Sequence, residues 1–179
     1  MKVTDSARLS YRLLDEHDAD LFYTLDRDPE VMRFINGGKP HTLEYIKSEA
    51  IPRLMAYTDQ VKGHGMWGVF IKESNEFIGW ILVRPMNFFS DVPEFDNLEI
   101  GWRFMQNSWG KGFGTEAAQQ VKDAIVGLGA VSAISAIAVP DNKGSINIMT
   151  KIGLTFIKQY IHHDKQLGEL EAVYYQQQL

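Results

Sequence analysis

Apolar and polar positions along this chain change period several times, and each change marks an element. Residues 98–104, Leu98-Glu99-Ile100-Gly101-Trp102-Arg103-Phe104, form a β-like run, and residues 115–128 form a helical one. Near the start, residues 7–12 read as a first strand. Ala19, Phe22, Tyr23 and Leu25 then recur at helical spacing behind Asp15, which can cap a helix to about residue 25. Asn36-Gly37-Gly38-Lys39-Pro40 is a loop, and Thr42 opens a second helix to about Tyr57 that Pro52 should kink or split. Residues 66–71 and 77–83 are apolar, β-prone runs separated by Glu73-Ser74-Asn75-Glu76, which predicts an antiparallel hairpin. Residues 87–97 read as a polar loop. Residues 132–139 form a buried strand, Pro140-Asp141-Asn142 a turn, and a short helix runs from there to Ile152. Residues 156–160 and 172–176 finish as a strand pair.

Strand, two helices, three strands, helix, strand, helix and two strands predict an α/β fold with helices on both faces of a mixed sheet. No repeat, low-complexity tract or linker divides the 179 residues, so the expectation is a single domain over 1–179. Bulk properties narrow the function classes. Hydrophobic content of 45% with 23% charged residues is ordinary for a water-soluble domain. The absence of cysteine excludes disulfides, thiol catalysis and cysteine-ligated zinc, and it fits a reducing compartment. Neither a signal-peptide-like start nor an apolar run of membrane-spanning length is found, which makes a cytoplasmic location the default. A net charge of −5 argues against a general nucleic-acid binder.

The densest chemistry lies in Trp109-Gly110-Lys111-Gly112-Phe113-Gly114-Thr115-Glu116. Three glycines at alternate positions strip side chains from a short strand-to-helix loop. Its backbone N–H groups can then approach a bulky anion at a helix N-terminus, where partial positive charge favours phosphate. A P-loop is excluded, because Lys111 precedes Gly112 and no hydroxyl residue follows it. The dinucleotide fingerprint is excluded by the two-and-two glycine spacing and by the lack of an acidic residue about twenty positions on. A ligand-free turn is the plainer alternative if the loop stood alone.

Strand, loop and helix in this order resemble the acetyl-coenzyme-A-binding motif of the GNAT superfamily of N-acetyltransferases. The family pattern Gln/Arg-x-x-Gly-x-Gly/Ala falls on Trp109, Gly110, Lys111, Gly112, Phe113 and Gly114, with Trp109 departing from the usual Gln/Arg. The sequence around it is similar to the RimJ/RimL-type ribosomal-protein N-terminal acetyltransferase branch. A second block, Asn142-Lys143-Gly144-Ser145 through Lys151-Ile152-Gly153-Leu154, resembles the family's Asn-x-x-Ser…Lys-x-Gly-Phe segment, with Leu154 in place of Phe. The resemblance implies a mixed, mostly antiparallel sheet of about seven strands, splayed between the fourth and fifth. It also implies direct transfer of acetyl from acetyl-coenzyme A to a primary amine. On that basis the cofactor arm falls to backbone around Phe104 and Met105. The diphosphate falls to Trp109, Gly110, Lys111, Gly112, Phe113, Gly114 and Thr115, and the pantetheine and thiol end to Asn142 and Ser145. Lys111 either attracts phosphate as a point charge or is simply solvated. A backbone N–H near Phe104 would stabilise the oxyanion.

Glu99 occupies the position resembling the general base of such enzymes; its plainer role is an exposed carboxylate at a strand start. The tyrosine that many relatives use to protonate the thiolate is replaced by Met149, which leaves Ser145 as the substitute, or a helix cap and no acid at all. His64, His162 and His163 read as loop histidines without metal-ligand spacing. Trp67, Trp80, Phe88 and Phe89 read as core or pocket wall, and Asp91, Glu94 and Asp96 as a solvated acidic run that would suit a cationic acceptor. The expected acceptor is a protein N-terminal α-amine. The alternatives are a small-molecule amine (a polyamine, aminoglycoside or amino-acid-like compound) and a non-catalytic coenzyme-A-binding sensor. Neither metal, nucleic acid nor membrane is expected as a partner. The state is a monomer or a homodimer, with the final strands and the Tyr174-Tyr175 pair as a candidate dimer edge.

Overall fold

Both faces of the central strands are apolar, and that dictates a sheet buried between two helical layers. In β3, Phe77–Met86, Ile81 and Val83 enter one core while Trp80 and Leu82 enter the other. The computed structural model describes the main chain of residues 1–164 and 168–179. Its other strands are β1, Leu9–Leu13; β2, Gly65–Ile71; β4, Glu94–Phe104; β5, Ala133–Ala138; β6, Thr155–Asp164; and β7, Gly168–Gln178. They form one sheet of seven strands, the number the resemblance implied, in the order β1-β2-β3-β4-β5-β7-β6.

Every neighbouring pair is antiparallel except β4 and β5. A parallel pair needs a crossover, and helix α5, Phe113–Val126, supplies it. The parallel ladder has three rungs, Asn97↔Ala133, Leu98↔Ile134 and Glu99↔Ser135. Beyond Glu99, β4 stays with β3 as far as Gly79↔Phe104, while β5 stays with β7 as far as Ala138↔Val173. The two strands therefore part, and the sheet is splayed where expected. Side chains knot the closed end. Ser135 Oγ donates to Asn97 Oδ1 at 2.7 Å, Asn97 Nδ2 donates to Glu94 Oε2 at 2.7 Å and to the Tyr174 hydroxyl at 3.1 Å, and Gln176 Nε2 donates to that hydroxyl at 2.8 Å.

Helices α5 and α6, Lys143–Lys151, cover one face, burying Ala117, Val121, Ile125 and Met149 against Ile81, Leu98 and Ile100. On the other face lie α1, Ala19–Asp26; α2, Pro29–Asn36; α3, Leu43–Tyr45; and α4, Ile51–Met55. Phe22, Leu25, Ile46 and Leu54 pack there on Phe70, Trp80 and Leu82. No helix among the described residues is long and apolar enough to cross a membrane.

Five details depart from the sequence reading. Helix α2 was not expected, yet its signals are present: Asp28 Oδ1 accepts from Glu30 N at 2.9 Å, Pro29 opens the helix, and Gly37 closes it at φ 76°. Pro52 acts one turn early. Without an N–H, and with its ring crowding the preceding turn, it follows a π-helical turn, Ile46–Ala50, instead of a kink. Strand β4 starts at Glu94, so the polar segment ahead of Leu98 is half strand, held by the Asn97 knot. His162 and His163 lie on β6 and not in a loop. Tyr174 and Tyr175 cannot form an edge, because β7 is enclosed between β5 and β6; Tyr174 is part of the knot and Tyr175 packs on Phe156.

Candidate active site

The parting of β4 and β5 opens a cleft of about 570 Å³. Glu30, Val31, Phe34 and Ile35 of α2 form one wall, and Trp102, Arg103 and Phe104 of β4 form the back. Trp109, Gly110, Gly112, Phe113, Gly114 and Thr115 lie on one side, and Asn142, Gly144, Ser145, Asn147, Ile148 and Lys151 on the other.

The glycine loop owes its shape to two left-handed residues, Gly110 at φ 73° and Gly112 at φ 79°, a region that side chains disfavour. Gly112 is the N-cap of α5, and its carbonyl accepts the first helical bond, from Glu116 N at 3.0 Å. The amides of Phe113, Gly114 and Thr115 therefore have no partner inside the helix. At Gly114 a Cβ would stand 2.9 Å from Ile148 Cδ1, so the missing side chain lets α5 approach α6 closely. Opposite, Asn142 caps α6, its Oδ1 accepting from Ser145 N at 3.1 Å. Two helix N-termini thus line one cleft, both with positive ends and spare N–H donors.

The back wall supplies main-chain groups. Met105 N donates to Ile78 O at 2.9 Å, across to β3, and its carbonyl accepts from Ser108 N and Oγ. Main-chain groups alternate sides along a strand, so those of Phe104 and Trp102 point towards the open splay. The Phe104 carbonyl accepts from Trp109 Nε1 at 2.8 Å, which fastens the loop to the strand end.

Of the residues singled out from the sequence, Phe104, Trp109, Gly110, Gly112, Phe113, Gly114, Thr115, Asn142 and Ser145 meet at this cleft. Met105 does not, because its main chain is engaged elsewhere and its side chain packs in the α1–α4 core. The Lys111 side chain is exposed away from the lining. Ser145 has a hydroxyl without a hydrogen-bond partner among the described residues, and Met149, at 1% exposure, is plain core. Glu99 is not an exposed carboxylate. It is 7% exposed, on the last rung joined to β5, and Arg84 Nε donates to its Oε2 at 2.7 Å. Burial pushes the neighbouring Tyr160 phenol up to about 12, the Glu99 charge adding to the effect.

Asp91 and Asp96 are exposed and Glu94 half-buried, a largely solvated acidic run that also makes local bonds. Glu94 accepts from Asn87 and Asn97, and Asp96 from Ser132. Trp80 is core, while Phe88 and Phe89 stand edge-on to Tyr57, away from the cleft lining. Desolvation lowers the pKa of the buried His64, and no cluster of ligating side chains able to hold a metal occurs among the described residues.

Sequence reasoning missed two parts of the site. One is α2 with its anchor. Asp26 accepts from Arg103 Nη1 on one oxygen, while its other oxygen lies 3.1 Å from His41 Nδ1; His41 Nε2 lies 3.2 Å from Asn36 Nδ2, at the end of α2. The other is Arg8, whose contacts lie more than a hundred residues away, where no local pattern announces them. Its Nε donates to Glu116 Oε2 at 2.7 Å, Nη2 forms an ion pair with the same oxygen at 2.7 Å, and Nη1 donates to Lys111 O at 3.0 Å. Burial works against the Glu116 carboxylate, yet the Arg8 N–H, Ser6 and the Arg8 guanidinium outweigh it and hold its pKa below the ordinary 4.5. A depressed carboxylate contributes stability above its unfolded value and loses it as pH falls through the folded one. Urea unfolding below pH 4.5 should therefore fall less steeply with pH in Glu116→Gln than in the wild type; identical slopes would assign the acid loss elsewhere.

Comparison with known proteins agrees with this geometry. Residues 8–155 match the model of the acetyltransferase (GNAT) domain. The FsC-acetyl coenzyme A-N(2)-transacetylase of Aspergillus fumigatus is 31% identical over 88% of this chain, which spans 66% of that protein, just under two thirds. Among solved structures, aminoglycoside acetyltransferase AAC(6')-Ib with coenzyme A superposes with TM-score 0.76 at 18% identity, over 95% of this chain and 94% of that one. RimL, a ribosomal L7/L12 α-N-protein acetyltransferase with coenzyme A, also gives 0.76, at 14% identity over 99% and 97%. The fold is common to enzymes of quite different acceptors.

Proposed function

The chain belongs to the GNAT acetyltransferase family and is an acetyl-CoA-dependent acyltransferase, and we propose that it transfers acetyl to a primary α-amine, a peptide N-terminus foremost. The observation that carries this reading is the pair of helix N-termini, with glycine amides free of side chains, around one cleft at the open end of β4 and β5. Amides of residues 112–115 fit a diphosphate there, and the main chain of Trp102 with the Phe104 N–H, facing the open splay, fits an extended amide-bearing arm. The co-substrate supplies an activated thioester carbonyl. Phe104 N–H is the donor placed to meet negative charge developing on that oxygen. Glu99 takes the amine proton, through water where the distance requires it, and the Ser145 hydroxyl returns a proton to the departing sulfur.

The α-amine is favoured over lysine by proton affinity. At pH 7 roughly one α-amine in ten is neutral, against roughly one lysine in 2,500. The Aspergillus relative is named for an N(2) acceptor position, in keeping with this choice. Free-thiol release across N-terminal peptides, amino-acid-like amines, polyamines and aminoglycosides tests it. Turnover confined to the last two classes would reject the α-amine.

Ser145→Ala should lower kcat about tenfold while leaving the acetyl-CoA KM unchanged, since a thiol of pKa near 8.5 leaves with little help. Wild-type turnover would reduce Ser145 to part of the helix cap.

A further inference from the structure

Arg8 is absent from every part of the glycine motif, yet it ties the chain ahead of β1 to both the loop and the first turn of α5. Both oxygens of Glu116 are occupied. Oε2 takes the Arg8 Nε hydrogen bond and the Nη2 ion pair, each at 2.7 Å, and Oε1 takes the Arg8 main-chain N–H at 2.9 Å and Ser6 Oγ at 2.7 Å. The guanidinium also lies 4.4 Å over the Phe113 ring and donates to the Lys111 carbonyl at 3.0 Å.

Two consequences follow from these contacts. Glu116 stands in the first turn of α5, where a bare carboxylate would compete for the positive helix end and repel an incoming diphosphate. Arg8 neutralises it. The second consequence is geometric. In a trans peptide the C=O and the next N–H point opposite ways, so drawing Lys111 C=O to Arg8 turns Gly112 N–H away from Arg8 and towards the cleft that Gly112 lines. A lysine could supply the charge but not the fork that spans a carboxylate and a carbonyl together.

We infer that Arg8 is a positioning residue for phosphate binding, acting through Glu116 and the Lys111–Gly112 peptide and not by touching the phosphate. The inference rests on the reading of this loop as the coenzyme A diphosphate site, so wild-type protein is titrated with coenzyme A first. Absence of uptake there overturns the loop reading and this inference with it.

Given wild-type uptake, Arg8→Ala should weaken the Kd for coenzyme A roughly 10- to 100-fold, with kcat at saturating acetyl-CoA and the amine KM unchanged. Adding Glu116→Gln to Arg8→Ala should recover most of that loss, because the unpaired carboxylate is gone. A merely structural brace would bind no better, or worse, in the double variant. Glu116→Gln alone should bind within about twofold of wild type. If Arg8→Ala lacks a native circular-dichroism spectrum, Arg8→Gln serves instead, keeping a polar stem while removing the charge, with the same weakening and the same recovery on adding Glu116→Gln expected. Wild-type affinity in the folded Arg8 variant, or no recovery in the corresponding double variant, overturns the assignment.

Discussion

An Asp26→Ala protein should lose about 3–5 kcal/mol of unfolding free energy in a urea titration, the largest stability effect expected of a single polar change here. Asp26 is 4% exposed at the end of α1 and takes both the Arg103 guanidinium and the His41 ring. Arg103 is itself enclosed, lying 5.0 Å over the Trp80 ring, and its Nε already has no partner among the described residues. Truncating Asp26 strands a buried cation, and low-dielectric surroundings make that costly. The loss should reach the cleft as well, because the His41–Asn36 contact anchors the C-terminal end of α2, whose Phe34 and Ile35 line the wall. A weaker acetyl-CoA KM is therefore expected alongside the lower stability. Asp26→Asn keeps the shape and one acceptor and should fall between the two. A loss under 1 kcal/mol in Asp26→Ala would mean that water replaces the carboxylate without penalty.

Glu99→Gln should reduce kcat/KM for the amine about 100-fold near pH 6, with the deficit shrinking as pH rises towards 9. The sign comes from the acceptor. Without a proton acceptor, the variant turns over only amine that is already neutral, and below a pKa near 8 that fraction drops tenfold per unit. Coenzyme A affinity should stay put, since Glu99 is not part of the cleft lining and glutamine still offers Oε1 to Arg84. Parallel pH–rate profiles in the two proteins would remove Glu99 from proton transfer and leave it as the partner of Arg84.

What the sequence disclosed was local, and what it hid was not. The glycine loop was legible because φ values such as those of Gly110 and Gly112 favour glycine, and because strand and helix adjoin it directly. The hairpin of β2 and β3 was legible for the same reason. Helix α2 escaped, since its eight residues are too few for periodicity to stand out, although Asp28-Pro29 and Gly37 punctuate both ends. The first residues of β4 read as loop because they are polar; only Ser135 and Tyr174, from distant strands, make Asn97 a buried strand residue. Glu99 was singled out by resemblance, yet its environment was not readable, because Arg84 faces it only through the β3–β4 register. Arg8 had no signal at all, its partner Glu116 lying 108 residues away.

The three-rung seam has one more effect. It ties the two halves of the sheet at Asn97, Ser135 and Tyr174, with the glycine loop on one side of the opening and Asn142 and Ser145 on the other. The width between those groups is then fixed at two places, the knot at the closed end and the contact of Gly114 with Ile148, so a larger residue at 114 would widen the opening from the helix side.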